Sequence, residues 1–301
     1  MNVVFMGTPD FSIPSLKILL ESKHKVVGVV TQPDKERGRG QKVSFTSVKQ
    51  FALQNELPVL QPEKLKDQTF IEELTKLNAD LFVVVAFRIL PKVVFEVPKF
   101  GSFNLHGSYL PKYRGAAPIQ WALINGETET GLTTFKLAEK VDTGNIYLQR
   151  KVEIYKDDNF ETLHDRMSEL GAKLVLNTVS LIENRNYELM QQDDSLASPA
   201  PKITKDICTI DWNKSAEEIH NLVRGLSPHP AAYFVYNDKL MKVYKTEVVT
   251  GLDLQPFQFH QTKTELIIGC GKDAVRILEI QQEGKRRMTI EEFIRGFSFR
   301  S

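Results

Sequence analysis

The chain has 301 residues, 42% hydrophobic and 26% charged, with 39 Lys and Arg against 38 Asp and Glu. That size suits one large or two ordinary domains, each able to bury a core. A net charge of +1 supplies no global field towards nucleic acid or membrane, so binding to either must come from a local patch. Cys208 and Cys270 form neither a CxxC pair nor a disulfide framework, as in a reducing compartment. The N-terminus, MNVVFMGTPDFS, lacks the basic and apolar regions of a signal peptide. No apolar run reaches the roughly 18 residues of a membrane span. A cytoplasmic location without membrane association is expected.

The predicted elements begin with the apolar run Val3–Met6, stopped by Gly7-Thr8-Pro9-Asp10. Leu16, Leu19 and Leu20 then recur at helical spacing. Val26–Val30 is a second strand, Val59-Leu60 a weaker third, and Phe70–Leu77 a helix. LFVVVA (Leu81–Ala86) is apolar throughout, as expected of a central parallel strand covered on both faces. Phe103–His106 is the next strand. Strands alternating with helices imply a doubly wound α/β domain. Gly131–Leu137 alternates, Ile146–Tyr155 is extended, and a long helix spans Asn159–Glu183. Asn184–Thr204 is polar and aperiodic, and reads as a linker. Beyond it, Ser215 is placed to cap a helix to Arg224, with Glu218 completing a capping box. Short strands follow at Tyr233–Tyr236, Met241–Val248, Glu265–Gly269 and Ala274–Ile280, the spacing of a small barrel or sandwich. The expected domains are 1–186, a linker over 187–204, and 205–301.

Three stretches carry chemistry. The GTPDF turn after the first strand holds one glycine where a GxGxxG fingerprint needs three, so it reads as a tight strand-to-helix turn. The loop TQPDKERGRGQKVS (Thr31–Ser44) places Lys35, Arg37, Arg39 and Lys42 against Asp34 and Glu36. It reads either as a solvated loop or as a structureless, flexible arm whose Arg39, between Gly38 and Gly40, meets phosphates or bases. The third stretch is FNLHGSYLPKYRGAAP. Asn104 and His106 are two apart on a strand, so they share a face near its carboxyl end, where open α/β sheets place ligands. Asp142, in KVDTGN, adds a carboxylate. An amide and an imidazolium can both donate to an oxyanion, and a carboxylate orients an imidazole. Together they make an acyl-transfer kit. With no GxSxG and no suitable cysteine, a covalent acyl-enzyme is not expected. The other histidines show no zinc-ligand spacing, and no metal is expected.

Those stretches resemble a known family. VVFMGTPDF, VVGVVTQPDKERGRGQK, FNLHGSYLPKYRGAAPIQWALINGETETG and VDTGNIY are similar to the folate-dependent formyltransferase superfamily. GRGQK, IDWNKSAEEIHNLVRGLSPHPAAYF and KVYKTEV narrow the resemblance to its methionyl-tRNA formyltransferase branch, over almost the whole chain. The resemblance implies an α/β, Rossmann-like formyltransferase domain followed by a small OB-like β-barrel domain. It implies transfer of a formyl group from 10-formyltetrahydrofolate to the α-amine of methionyl-initiator-tRNA, releasing tetrahydrofolate and producing the formylmethionyl-tRNA of translation initiation. The catalytic residues of the family fall by motif on Asn104, His106 and Asp142. Folate contacts fall on Phe87, Arg88, Ile89, Leu90, Ser108, Leu110 and Pro111. This chain has AFRILP where tRNA enzymes often have AYGxILP, one residue longer, which bears on Phe87 and Arg88.

The resemblance places Arg39 on the key arginine of the tRNA loop, with Arg37 and Lys42 beside it. From Thr204 onward cationic and anionic residues nearly balance, so a local patch is required there, with Lys242, Lys285 and Arg286 as candidates. A monomer is expected. Arg114 and Gly115 are read as structural. An amino-sugar nucleotide formyltransferase and a non-catalytic RNA-binding protein are the rival readings; GRGQK speaks against the first, and Asn104, His106 and Asp142 against the second.

Overall fold

The computed structural model describes residues 1–37, 42–185 and 187–299. The chain forms two compact units. The first comprises Met1–Gly115, Gly131–Val152 and His164–Pro199; the second comprises Ala116–Thr130, Glu153–Leu163 and Ala200–Ser301.

In chain order the first part contains β1 (Asn2–Gly7), α1 (Ile13–Leu20), β2 (Lys25–Val30), β3 (Lys35–Arg37), β4 (Lys42–Ser44), α2 (Ser47–Gln54) and β5 (Val59–Leu60). Next come α3 (Gln68–Lys76), β6 (Leu81–Val85), α4 (Lys92–Phe95), β7 (Ser102–His106), β8 (Arg114–Gly115), α5 (Pro118–Ile124), β9 (Glu129–Lys136), β10 (Ile146–Glu153) and α6 (Phe160–Asn184). Seven strands form one sheet in the order β10-β9-β7-β6-β1-β2-β5. β5, β2, β1, β6 and β7 are parallel, and β9 joins β7 antiparallel. The chain leaves β1 towards β2 and β5, then returns to build β6 and β7 on its other side. This Rossmann-like switch opens at the carboxyl ends of β1 and β6, where Gly7 pairs with Val85.

Every residue of β6 is buried, as its unbroken apolar run requires. At Gly7 a side chain would lie 2.8 Å from Ser12, whose hydroxyl donates to Val85 O at 2.8 Å. The GTPDF turn is thus glycine-led because backbone and side chain pack there. β9 departs from its alternating pattern, being buried from Thr130 through Phe135. Thr134 is buried with a partner: its hydroxyl and that of Thr178 on α6 pair at 2.8 Å.

The loop expected to be structureless has ladder structure at both ends. β3 and β4 pair antiparallel, Lys35 with Ser44 and Arg37 with Lys42. Its root is held by Asp34, which accepts from Lys49 Nζ at 2.5 Å and from Gln61 Nε2 at 2.9 Å. These bonds hold the Asp34 carboxyl below its ordinary pKa.

The segment read as a linker is fastened to the first unit. Ile146 and Met190 exchange both backbone bonds, at 2.8 and 3.0 Å. Gln192, further along, is only 8% exposed.

After β11 (Pro199–Ala200) the second unit continues with α7 (Ala216–Leu226), β12 (Ala232–Tyr236), β13 (Lys239–Val249), β14 (Phe259–Gln261) and β15 (Leu266–Gly269). It ends with β16 (Ala274–Gln282), β17 (Met288–Thr289) and α8 (Ile290–Ile294). The strands run β12-β13-β16-β15-β14, with β17 on β16, each antiparallel to its neighbour, a small barrel-like domain. Trp212, Ile219, Val223, Phe234, Met241 and Ile277 lie in its core. Ser215 and Glu218 form the expected capping box on α7. α5 packs against α7 within this unit.

Among the described residues no helix is long and apolar enough to cross a membrane.

Candidate active site

β7 is central in the first unit's sheet, between β6 and β9, and it carries Asn104 and His106 on one face. Asn104 is half-buried and, among the described residues, its amide has no hydrogen-bond partner. His106 is 6% exposed, and its Nε2 lies 2.8 Å from Tyr113 O. A carbonyl only accepts, so Nε2 carries a hydrogen and Nδ1 is the ring nitrogen left for chemistry. The Phe135 ring sits edge-on to the imidazole at 6.5 Å.

Asp142 reaches the same place from the loop after β9. Its Oδ2 is 3.8 Å from His106 Nδ1, within ion-pair range but beyond a direct hydrogen bond. The carboxylate is oriented instead by the Gly115 N–H, which donates to Oδ2 at 2.8 Å. The ring has a second, direct anchor at its other nitrogen. The backbone around Tyr113 holds both groups: Tyr113 O takes the imidazole, and Gly115 N–H takes the carboxylate.

That backbone is itself fixed. Thr133 Oγ1 donates to Ser108 O at 2.7 Å and accepts from Leu110 N–H at 3.1 Å. Gln149 Nε2 donates to Leu110 O at 2.7 Å. Three non-glycine residues near the site have left-handed backbone: Ala86 (φ 48°), Tyr113 (φ 61°) and Asp142 (φ 55°). Each such conformation costs roughly 1–3 kcal/mol and persists only where surroundings enforce it, as in functional sites. In the DTG motif, the Thr143 hydroxyl donates to Lys140 O at 2.9 Å. A side chain at Gly144 would lie 1.7 Å from Lys136 O, so only glycine fits.

The remaining expected folate residues divide into two groups. Ser108 and Leu110 are buried: the Ser108 hydroxyl donates to Lys112 O at 2.6 Å, and Leu110 packs with Phe135 and Ile146. Their side chains are committed to the protein, which leaves backbone groups and Pro111 for the contacts expected there. After β6, Ile89 is 73% exposed while Leu90 is buried. Arg88 donates to Pro62 O at 2.7 Å and Glu63 O at 3.1 Å, and stacks over Phe87 at 5.3 Å. Its Nε is buried without a partner, and burial lowers the guanidinium pKa. Arg88 thus ties the loop after β6 to the loop after β5.

Arg39 lies outside the described residues, as do the side chains of Arg37 and Lys42. In the second unit, Lys242 on β13 pairs in register with Gln281, whose Nε2 donates to Lys285 O at 2.7 Å. Lys242 and the Lys285-Arg286 turn are therefore neighbours. Lys242 Nζ also donates to Pro230 O at 3.2 Å, and Arg286 pairs with Glu292 at 3.4 Å. Among the described residues no three His, Cys, Asp or Glu side chains gather to hold a metal ion.

Fold and site together define an α/β enzyme whose candidate site groups suit acyl transfer. The chain belongs to the formyl transferase family: the family's main domain matches residues 1–179 and the formyl transferase C-terminal domain matches residues 202–298. It is 48% identical to the methionyl-tRNA formyltransferase of Caldanaerobacter subterraneus subsp. tengcongensis, over 98% of this chain and 97% of that one. To the methionyl-tRNA formyltransferase of Bacteroides thetaiotaomicron it is 44% identical, over 99% and 96%. Among solved structures, a sugar 3N-formyl transferase, WlaRD, superposes with a TM-score of 0.70 at 22% identity, covering 95% of this chain and 99% of that one. The methionyl-tRNA formyltransferase from Clostridium thermocellum superposes with a TM-score of 0.57 at 17% identity, covering 92% and 99%. These two likenesses concern the fold.

Proposed function

We propose that this enzyme transfers the formyl group of 10-formyltetrahydrofolate to the α-amine of methionyl-initiator-tRNA, with Asn104, His106 and Asp142 as its catalytic residues. The observation that carries the substrate assignment is the 48% identity over nearly the full chain, both domains included, to a methionyl-tRNA formyltransferase. The site supports the chemistry. Asn104 offers an unpartnered amide beside an imidazole anchored at Nε2 and open at Nδ1, with a carboxylate 3.8 Å from that nitrogen.

The neutral α-amine attacks the formyl carbon, and a carbon–nitrogen bond forms. Asn104 Nδ2 and the protonated His106, through Nδ1–H, donate to the oxygen as it becomes negative. Asp142 accepts the proton that the attacking nitrogen releases, directly or through one water. Collapse of the oxyanion breaks the bond to N10, and the proton held at Asp142 passes to the leaving tetrahydrofolate nitrogen. Tyr113 O keeps the imidazole in the orientation this needs. Arg37, Arg39, Lys42, Lys242, Lys285 and Arg286 are our candidate tRNA contacts. Phe87, Arg88, Ile89, Leu90, Ser108, Leu110 and Pro111 form our folate wall. We take the enzyme to act as a cytoplasmic monomer and to need no metal.

The test is a labelled-formyl assay with 10-formyltetrahydrofolate as donor and two acceptors, charged initiator tRNA and an amino-sugar nucleotide. Label on the tRNA-bound methionine is expected. Transfer to the sugar alone would assign the enzyme to the sugar formyltransferases, and no transfer with either acceptor would remove the activity.

A further inference from the structure

Gln192 is not among the residues that motif reasoning marks. It lies in the polar segment after α6, yet it is 8% exposed and every atom of its amide is used. Its Nε2 donates to Asp142 O at 2.9 Å and to Gly144 O at 2.8 Å. Its Oε1 accepts a fork from Arg114, Nη2 at 2.7 Å and Nε at 3.1 Å. Arg114 Nη2 continues to Asp194 at 2.6 Å, back in the same segment.

Arg114 stands between two site-building residues. Tyr113 O accepts from His106 Nε2, and Gly115 N–H donates to Asp142 Oδ2. One amide therefore joins the backbone that carries Asp142 to the residue flanked by both anchors. The loop needs such a tie. Asp142 sits at φ 55°, a conformation that costs roughly 1–3 kcal/mol, and would relax if its carbonyl were released.

Resting on the reading of Asp142 given above, we propose that Gln192 is a positioning residue for catalysis: its amide holds the Asp142–Gly144 backbone so that the Asp142 carboxylate stays beside His106 Nδ1. The segment after α6 is then part of the active-site framework. Gln192 touches no substrate. Its effect on catalysis passes through Asp142, which separates it from a residue needed merely for folding.

The experiment uses the full-length enzyme well below its melting temperature. Gln192→Met keeps the length and loses every bond. Gln192→Glu keeps the Arg114 pair but turns a carboxylate towards two carbonyls. Both should lower kcat about 10²-fold, the typical effect of a catalytic group displaced by about 1 Å. KM for the formyl donor and for charged tRNA should stay within about threefold, since no substrate contact is removed.

The decisive measurement repeats Gln192→Met in an Asp142→Asn background. There it should change the rate less than about threefold, because the carboxylate it positions is gone. Single-turnover transfer, followed for hours where needed, supplies rates too slow for turnover. Equal losses in both backgrounds, a loss confined to KM, or unchanged kcat in the single variants would overturn the assignment of Gln192. Full activity of Asp142→Asn by itself would instead overturn the reading of the site on which it rests.

Discussion

Replacing Gly144 by alanine tests whether the loop after β9 is as tightly specified as its geometry implies. The added methyl would lie 1.7 Å from Lys136 O, 2.9 Å from the Lys136 carbonyl carbon and 3.1 Å from the Phe135 ring. An ordinary carbon–oxygen contact is about 3.3 Å, so something must move by about 1.5 Å. β9 is paired in the sheet on both sides, between β7 and β10, so the loop is the part that yields. Moving it stretches three hydrogen bonds: Lys136 N–H to Asn145 O at 2.9 Å, and those from Gln192 to Asp142 O and Gly144 O at 2.9 and 2.8 Å. At about 1 kcal/mol each, more where a buried group is left unpaired, Gly144→Ala should cost about 2–4 kcal/mol of stability. Displacement of Asp142 by 1 Å or more should also lower kcat about 10²-fold. Urea unfolding gives the first quantity, and formyl transfer to charged tRNA at low denaturant gives the second. A variant with an unchanged unfolding midpoint and kcat within about threefold of the parent would show that the loop adapts freely. It would refute the inference that backbone packing fixes Asp142.

Asn104→Ala should lower kcat about 10²–10³-fold with little change in KM, the usual cost of one oxyanion donor; near-normal turnover would remove Asn104 from the mechanism. Arg39→Ala should raise KM for charged tRNA and leave donor binding unchanged, and equal weakening of both would contradict a tRNA role. In the second unit, the Ser215 hydroxyl, Ser215 N–H and Lys214 hold the Glu218 carboxyl down at about 2. A depressed carboxylate stabilises the fold above its unfolded pKa and loses that contribution as pH falls towards the folded value. Glu218→Gln should therefore be less stable than the parent at pH 7, and the gap should shrink between the ordinary carboxylate range and pH 2. Denaturation at several pH values measures it, and a gap independent of pH would show that charge plays no part in the cap.

The elements that sequence reading captured are those whose signal is local and periodic. LFVVVA becomes a strand buried at all positions, and the long periodic stretch from Asn159 becomes α6. Ser215 and Glu218 form their capping box because both partners lie within one turn. The period-two spacing of Asn104 and His106 was equally legible, since a strand alternates its faces. α2, β14 and α8 were not marked. β14 has three residues and α8 five, too few for a period to emerge, and both depend on neighbours in the core. β3 and β4 were hidden by charge: their pairing runs through backbone groups, to which lysine and arginine are indifferent.

The amino-acid sequence by itself thus determined the alternation of the α/β unit, the smaller β-rich unit after it, and the candidate catalytic side chains, because those follow from residue type and spacing. Tertiary structure alone decided how the chemistry is held. His106 is anchored by a carbonyl of Tyr113 and Asp142 by an N–H of Gly115, and every residue except proline offers the same two backbone groups. Gln192 is set in a polar, aperiodic stretch, and nothing local distinguishes it from Gln191. Only the folded chain places one of those two amides against the backbone of Asp142, 50 residues away, where it meets two carbonyls and an arginine at once.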